Sequence, residues 1–294
     1  MGSGESAAQK TVRAPGVCVL GYGRLGEALT ARLSGASGTV NVFSRKPVSN
    51  IASNVHFFSH ASEALAGARF VLAVTSDFQS IMDVLRDIDR LDGKIFLQIL
   101  TLSPAQSACV EKEVSARRGL YVENPVLGSR PEALAGSLIA MAGPRANIDA
   151  EVSDFIALYA NKRIVFDAVG QASALKLIFN FLIGALTASF SVALTAIQDN
   201  GIPVGGFMEL LRESALYAPT FDKKLSPMLK GDYGNPNFPT AHLKKDLKLF
   251  SGIAPVSPLG KNLIAAIEEI VRAAADGQDA KLDYSSLHEA VKKR

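Results

Sequence analysis

The chain has 294 residues, 48% hydrophobic and 20% charged, with a formal net charge of +3. This length suggests two domains, and this balance supports a large buried core and excludes an intrinsically disordered chain. The mild positive charge is scattered with no zinc-finger or RNP-type pattern, so nucleic acid is not an expected partner; two cysteines, Cys18 and Cys109, make no disulfide framework and suit a reducing, cytoplasmic compartment.

Residues 1–14 are small and polar and read as a flexible leader without an apolar secretory core. Residues 15–168 then alternate short apolar runs with helix-like stretches. Strands are predicted at 17–20, 39–43, 70–74, 94–99, 119–122 and 137–142, with helices at 27–33, 61–66, 80–88 and 104–118. Such alternation predicts an α/β fold, a Rossmann-like, doubly wound, mostly parallel sheet. The first strand runs into Gly21-Tyr22-Gly23-Arg24-Leu25-Gly26 and then into a helix. That is the spacing of a dinucleotide turn. The first glycine permits the turn, the second lets backbone approach a pyrophosphate, and the third lets helix and strand pack closely.

The second strand ends in Ser44-Arg45-Lys46. An NAD site normally holds a carboxylate about 20 residues past the glycines, for the ribose 2′-OH. No carboxylate stands here, and a hydroxyl with two cations suits a 2′-phosphate. Charge therefore favours NADP(H) over NAD(H), an ordinary basic loop being the other reading. His56 and His60 are four apart in a Phe-rich segment and read as ordinary histidines, so no metal site is expected.

Residues 169–294 change character, and no strand is predicted after Gly170. One long helix, 171–199, precedes helices at 203–218, 223–230, 240–250, 261–276 and 285–293, punctuated by proline and glycine. An all-helical C-terminal domain is thus expected, with the boundary near residue 168. Leu177 to Ile197 carries no charged residue and is long enough to cross a bilayer. Its polar Asn180, Thr187, Ser191 and Thr195, with no second span or aromatic belt, read instead as a helix buried in a soluble protein or oligomer. Lys176 and Asn180 share one face of this helix. Spacing alone leaves two readings even. One is a lysine whose head reaches solvent; the other is a proton donor beside a nicotinamide, with Asn180 holding the same oxygen or a neighbouring group.

Several motifs in order resemble the β-hydroxyacid dehydrogenase family, which includes 3-hydroxyisobutyrate dehydrogenase and the glyoxylate/succinic semialdehyde reductases. The resemblance runs from about residue 16 to the C-terminus. The family's glycine motif matches Gly21–Gly26, and its Lys-x-x-x-Asn motif matches Lys176 to Asn180 after Gly170. Its Phe…Lys-Asp-Leu motif matches Phe238 and Lys245-Asp246-Leu247, and its Asp-x-Ser pattern matches Asp283 and Ser285. Pro125-Val126-Leu127-Gly128-Ser129 resembles its substrate-binding segment.

The resemblance implies NADP(H)-dependent hydride transfer with a small β-hydroxy acid or semialdehyde, in a cleft between the domains. Lys176 would be the general acid or base and Asn180 would orient substrate. Thr75, Ser76, Thr101 and Lys245 would lie on the cofactor side. Val126, Leu127, Gly128, Ser129 and Phe238 would surround the substrate. The helical domains would join a homo-oligomer, a dimer or tetramer. Three positions depart from the pattern: Leu127 stands where most members carry serine, Ser129 where they carry glycine, and Leu100 where serine is usual. Leu127 and Leu100 predict a more apolar wall and a bulkier or less acidic substrate, with Ser129 or the Gly128 backbone N–H compensating in part. An imine-reductase-like enzyme and an NADP-binding interaction module without turnover are the alternatives. Both usually lose the lysine that this chain keeps.

Overall fold

The computed structural model describes residues 16–46, 52–144, 149–276 and 280–292; the leader expected over 1–14 lies outside them. Strands β1 (Gly16–Leu20), β2 (Val40–Phe43), β3 (Val55–Phe58), β4 (Ala68–Ala73), β5 (Ile95–Gln98) and β6 (Leu120–Glu123) form one parallel sheet in the order β3-β2-β1-β4-β5-β6. Helices α1 (Arg24–Ser37), α2 (Ala61–Ala64), α3 (Phe78–Arg86) and α4 (Pro104–Ala116) connect them. Pleating sends alternate residues to opposite faces. Val17 and Val19 join α1's Leu29 and Leu33 in one core, while Cys18 and Leu20 join Ile81, Leu85, Val110 and Val114 in the other. The strand order reverses beside β1. In open α/β sheets the ligand crevice lies there, outside the carboxyl ends of the strands.

A second, three-stranded sheet follows. β7 (Val126–Leu127) pairs antiparallel with β8 (Leu138–Ala142), and β8 pairs parallel with β9 (Ala160–Val165). Helices α5 (Arg130–Ala135) and α6 (Ala150–Ile156) lie within this region. The strand predicted at 137–142 therefore belongs to a separate sheet rather than to the doubly wound one. β3, β7, β9, α5 and α6 were not among the expected elements, for physical reasons. β7 is two residues long. β9 carries Asn161-Lys162-Arg163 on an exposed stretch, so it shows no apolar run. α5 is six residues, too short for a helical period to register.

The second half is helical: α7 (Gln171–Asp199), α8 (Val204–Glu213), α9 (Pro219–Lys230), α10 (Thr240–Ser251), α11 (Pro258–Ala274), a 3-10 turn (Tyr284–Ser286) and α12 (Leu287–Val291). The third of these starts four residues earlier than expected because Pro219 opens its first turn, where a missing N–H costs nothing. α7 buries Leu177, Asn180, Gly184 and Ala188, and packs against α10, α11 and α12. It leaves Ile178, Leu182, Leu186 and Val192 between 40% and 54% exposed. Among the described residues α7 is the helix long and apolar enough to cross a bilayer by length and composition.

Candidate active site

The glycine turn opens at the carboxyl end of β1. Gly21 adopts φ +110°, and its N–H donates to the Phe43 carbonyl at 3.1 Å. A Cβ on Gly26 would stand 2.1 Å from the Gly21 carbonyl oxygen, so helix and turn touch at van der Waals limits. A Cβ on Gly23 would meet nothing within 4 Å, and no side chain caps α1 there. Unpaired N–H groups at a helix start, open space above them and the positive end of a helix dipole together fit a pyrophosphate. Tyr22 and Leu25 pack on the core, Tyr22 edge-on to Phe57 at 4.8 Å, and so hold the turn. Arg24 points away and donates to Asn235 Oδ1 at 3.0 Å, reaching the helical domain.

Ser44 donates to the Lys46 carbonyl at 2.9 Å and accepts from the Lys46 N–H at 3.2 Å. This tight turn leaves the Arg45 and Lys46 side chains exposed at the end of β2. Thr75 and Ser76 follow β4. Ser76 Oγ donates to Asp77, which caps α3, while Thr75 Oγ1 is buried without a protein partner. An orphaned hydroxyl beside the glycine turn also fits a dinucleotide, because buried polar atoms are otherwise paired.

The helical domain supplies the charged groups. Asn180 is 1% exposed, and its Nδ2 donates to Asp246 Oδ2 at 2.6 Å. Asp246 Oδ1 lies 3.2 Å from Lys245 Nζ. Lys245 Nζ in turn donates to the carbonyls of Ser76 and Thr101, each at 3.1 Å. One polar chain therefore runs from α7 through α10 to the two loops that follow β4 and β5. A buried carboxylate is costly unless it is paired and hydrogen-bonded, and Asp246 has both kinds of partner. Lys176 stands one turn before Asn180. The residue is half-buried, with its ammonium deep enough that desolvation pulls its pKa down to about 8; Asp246 works against that shift and Lys245 with it. Asn180 Oδ1 remains buried without a partner, an acceptor on the face that carries Lys176.

Asn180, Lys245, Ser76 and Thr101 are thus brought together through Asp246, with Lys176 on the Asn180 face of α7. Asp246 was quoted from the sequence only as part of a motif. Its signal was legible: it falls among Leu243, Leu247 and Phe250 on the buried stripe of α10.

The substrate segment is less uniform. Val126 is buried in the core and Leu127 is half-buried. Leu127 lines an open pocket of about 560 Å³ with Ile139, Met141, Ile164 and Phe179 and the β9 cations Lys162 and Arg163; Lys176 and Asn180 do not line it. Gly128 is crowded, since a Cβ there would come 2.7 Å from Leu138. The compensation expected of Ser129 is not available. Its N–H and hydroxyl both donate to Glu132 Oε2 at 2.8 Å, which makes it the cap of α5. Leu100 also departs from expectation: it is 5% exposed and packs in the sheet's core, so it adds no apolar wall to the cleft. Phe238 leads into α10 and sits edge-on to Tyr284 at 5.8 Å, against the helical core.

A glycine turn that fits a pyrophosphate, together with a half-buried lysine on the long helix that opens the helical region, points to a nicotinamide-dependent oxidoreductase. Residues 16–170 match the NAD binding domain of 6-phosphogluconate dehydrogenase, and residues 170–291 match the NAD-binding region of NADP-dependent 3-hydroxyisobutyrate dehydrogenase. The chain is 26% identical to glyoxylate/succinic semialdehyde reductase 2, chloroplastic, of Arabidopsis thaliana, over 93% of this chain and 78% of that protein. Its fold is similar to that of Mycobacterium tuberculosis 3-hydroxyisobutyrate dehydrogenase, at TM-score 0.78 and 22% identity over 95% and 100% of the two chains. A reductive aminase from Aspergillus terreus shares the fold at TM-score 0.62 and 19% identity, over 94% and 99%. The chain belongs to the β-hydroxyacid dehydrogenase family.

Proposed function

We propose that the protein is an NADP(H)-dependent reductase or dehydrogenase of a small β-hydroxy acid or semialdehyde, with Lys176 as general acid and base. The observation that carries this reading is the chain Asn180–Asp246–Lys245, which reaches the loops after β4 and β5 and begins one helical turn from Lys176. When bound, the nicotinamide supplies or accepts the hydride at the substrate carbon. In reduction the Lys176 ammonium gives a proton to the carbonyl oxygen; in oxidation the free amine takes it from the hydroxyl. Asp246 holds the Asn180 amide so that Oδ1 faces the site as an acceptor, for the Lys176 ammonium or for a substrate hydroxyl. Lys245 ties the helical domain to the cofactor loops through two carbonyls. Exposed Arg45 and Lys46 favour a 2′-phosphate, which supports NADP(H). Half-buried Leu127, where most of the family carries serine, supports a substrate with a larger apolar body than 3-hydroxyisobutyrate. The exposed stripe of α7 supports a homo-oligomer built through the helical domain, and the free thiols Cys18 and Cys109 suit the cytoplasm.

The test is NADPH oxidation by the purified protein across glyoxylate, succinic semialdehyde, tartronate semialdehyde, apolar β-keto acids and cyclic imines, with NADH in parallel. Lys176→Ala is expected to lose at least about 100-fold in turnover with NADPH binding nearly intact. Arg45→Ala is expected to weaken NADPH far more than NADH. Turnover of imines alone, or turnover that survives Lys176→Ala, would overturn the reading.

A further inference from the structure

At the carboxyl ends of β5 and β6, Gln98 and Glu123 stand side by side in register, and both are fully buried. Glu123 is a carboxylate in the interior without a cationic partner among its hydrogen bonds. It is instead surrounded by donors. The Gly170 N–H donates to Oε2 at 2.9 Å, and the Ser173 N–H donates to Oε1 at 3.0 Å. Ser107 Oγ also lies 2.9 Å from Oε1. Ser107 Oγ is also within hydrogen-bond distance of Gln98 Oε1 and the Tyr121 hydroxyl, and the Tyr121 hydroxyl donates to Gln98 Oε1, so the four side chains form one buried network. Gln98 Nε2 then donates to the Leu100 carbonyl at 2.8 Å, one residue before Thr101.

Two of those donors belong to the N-terminus of α7: the N–H of its capping residue Gly170 and that of its third residue, Ser173. Gly170 caps that helix with no side chain, and of the N–H groups at this end Gln171 donates to the Ala168 carbonyl. Glu123 accepts from two of the others, Gly170 and Ser173, at the positive end of the helix dipole. Three walls of the site meet at this carboxylate. α7 carries Lys176 from it, the segment Val126–Leu127 begins three residues after it, and the loop that bears Thr101 is tied to it through Gln98.

We infer that Glu123 is a positioning residue which, through the N-terminus of α7, sets Lys176 at its distance from the nicotinamide loop. This inference rests on Lys176 being the proton donor. Glu123→Gln is nearly isosteric, yet either orientation of its amide turns an N–H toward the Gly170 or Ser173 N–H. One of the two helix bonds is then lost while packing is kept.

The experiment is single-turnover reduction of glyoxylate and succinic semialdehyde in Glu123→Gln, Lys176→Ala and the double variant, with NADPH and with NADPH deuterated at the transferring hydrogen. Glu123→Gln is expected to slow hydride transfer about 10–100-fold, the size of a misplacement near 1 Å. Its isotope effect should rise, and its NADPH dissociation constant should stay within about 2-fold. The double variant should be no slower than Lys176→Ala, because residues acting through one group are not additive. A wild-type rate in Glu123→Gln, or losses that add, would overturn the inference while leaving Lys176 in place. A wild-type rate in Lys176→Ala would overturn the Lys176 reading itself. If Glu123→Gln does not fold, Ser107→Ala removes one bond to the same carboxylate and should show the same effects at smaller size. Amide exchange gives a readout independent of turnover: residues 170–176 should exchange faster in Glu123→Gln and residues 240–251 should not. Unchanged protection at Gly170 and Ser173 would overturn the inference.

Discussion

In the proposed reaction Lys176 carries the proton, and its pKa of about 8 suits that task. Desolvation is the larger cause of its depression to about 8, and Asp246 restrains it. The consequences have opposite signs in the two directions. Reduction needs the ammonium, so its kcat should be level below pH 8 and fall about tenfold per unit above it. Oxidation needs the free amine, so its kcat should rise through pH 8 and level off. Matched pH profiles in the two directions check this, and parallel curves would remove Lys176 from the proton's path. Stability follows the same group. Its native pKa lies below the ordinary lysine value of 10.5, so between about 8 and 10.5 the unfolded chain holds a proton that the native chain has released. Over that window this group makes stability rise with pH. Asn180 and Asp246 explain why the pair works as a pair. The amide is pinned at 2.6 Å by a carboxylate that is itself 2% exposed, so its free oxygen has a defined direction.

Two elements position this chemistry. The β1–turn–α1 unit binds by backbone, and its geometry depends on contact between Gly26 and the Gly21 carbonyl. Gly26→Ala forces that 2.1 Å approach apart. It should cost about 1–3 kcal/mol of stability, as overpacking does. It should also weaken NADPH by more than about tenfold, since displaced N–H groups no longer converge on a pyrophosphate. Denaturant unfolding with a cofactor titration checks both, and unchanged affinity would show that the turn does not hold the dinucleotide. The second element is α7. Its apolar composition is explained on one side by Leu243, Leu247, Ile267 and Val271, which form the helical core around it. Its polar residues are not spread at random, because Asn180 faces the site.

For the whole molecule, the stripe Ile178, Leu182, Leu186 and Val192 remains to be accounted for. Four large apolar side chains at 40–54% exposure along one helix form the kind of continuous patch that marks an interface. Leu182→Glu with Leu186→Glu should convert the assembly to monomers in analytical ultracentrifugation, with little change in far-UV circular dichroism because neither position is in the core. A wild-type protein that sediments as a monomer, or a variant that sediments like wild type, would sink the oligomer proposal.

The sequence by itself determined five of the six strands of the parallel sheet, the glycine turn and the long helix. Each is encoded locally: alternating apolar runs, glycines at fixed spacing, and 29 residues without a proline. It also picked out Lys176 and Asn180, because a charge and an amide stand out on an apolar helix. Only the tertiary structure decided the rest. Ser129 reads as a substrate donor until Glu132 is seen to take both of its protons. Leu100 reads as a pocket wall until its strand end is seen to turn it into the core. Asp246 and Glu123 gain their meaning from partners 66 and 47 or more residues away. A hydrogen bond's direction and a side chain's burial depend on which surfaces meet, and spacing along the chain does not contain that.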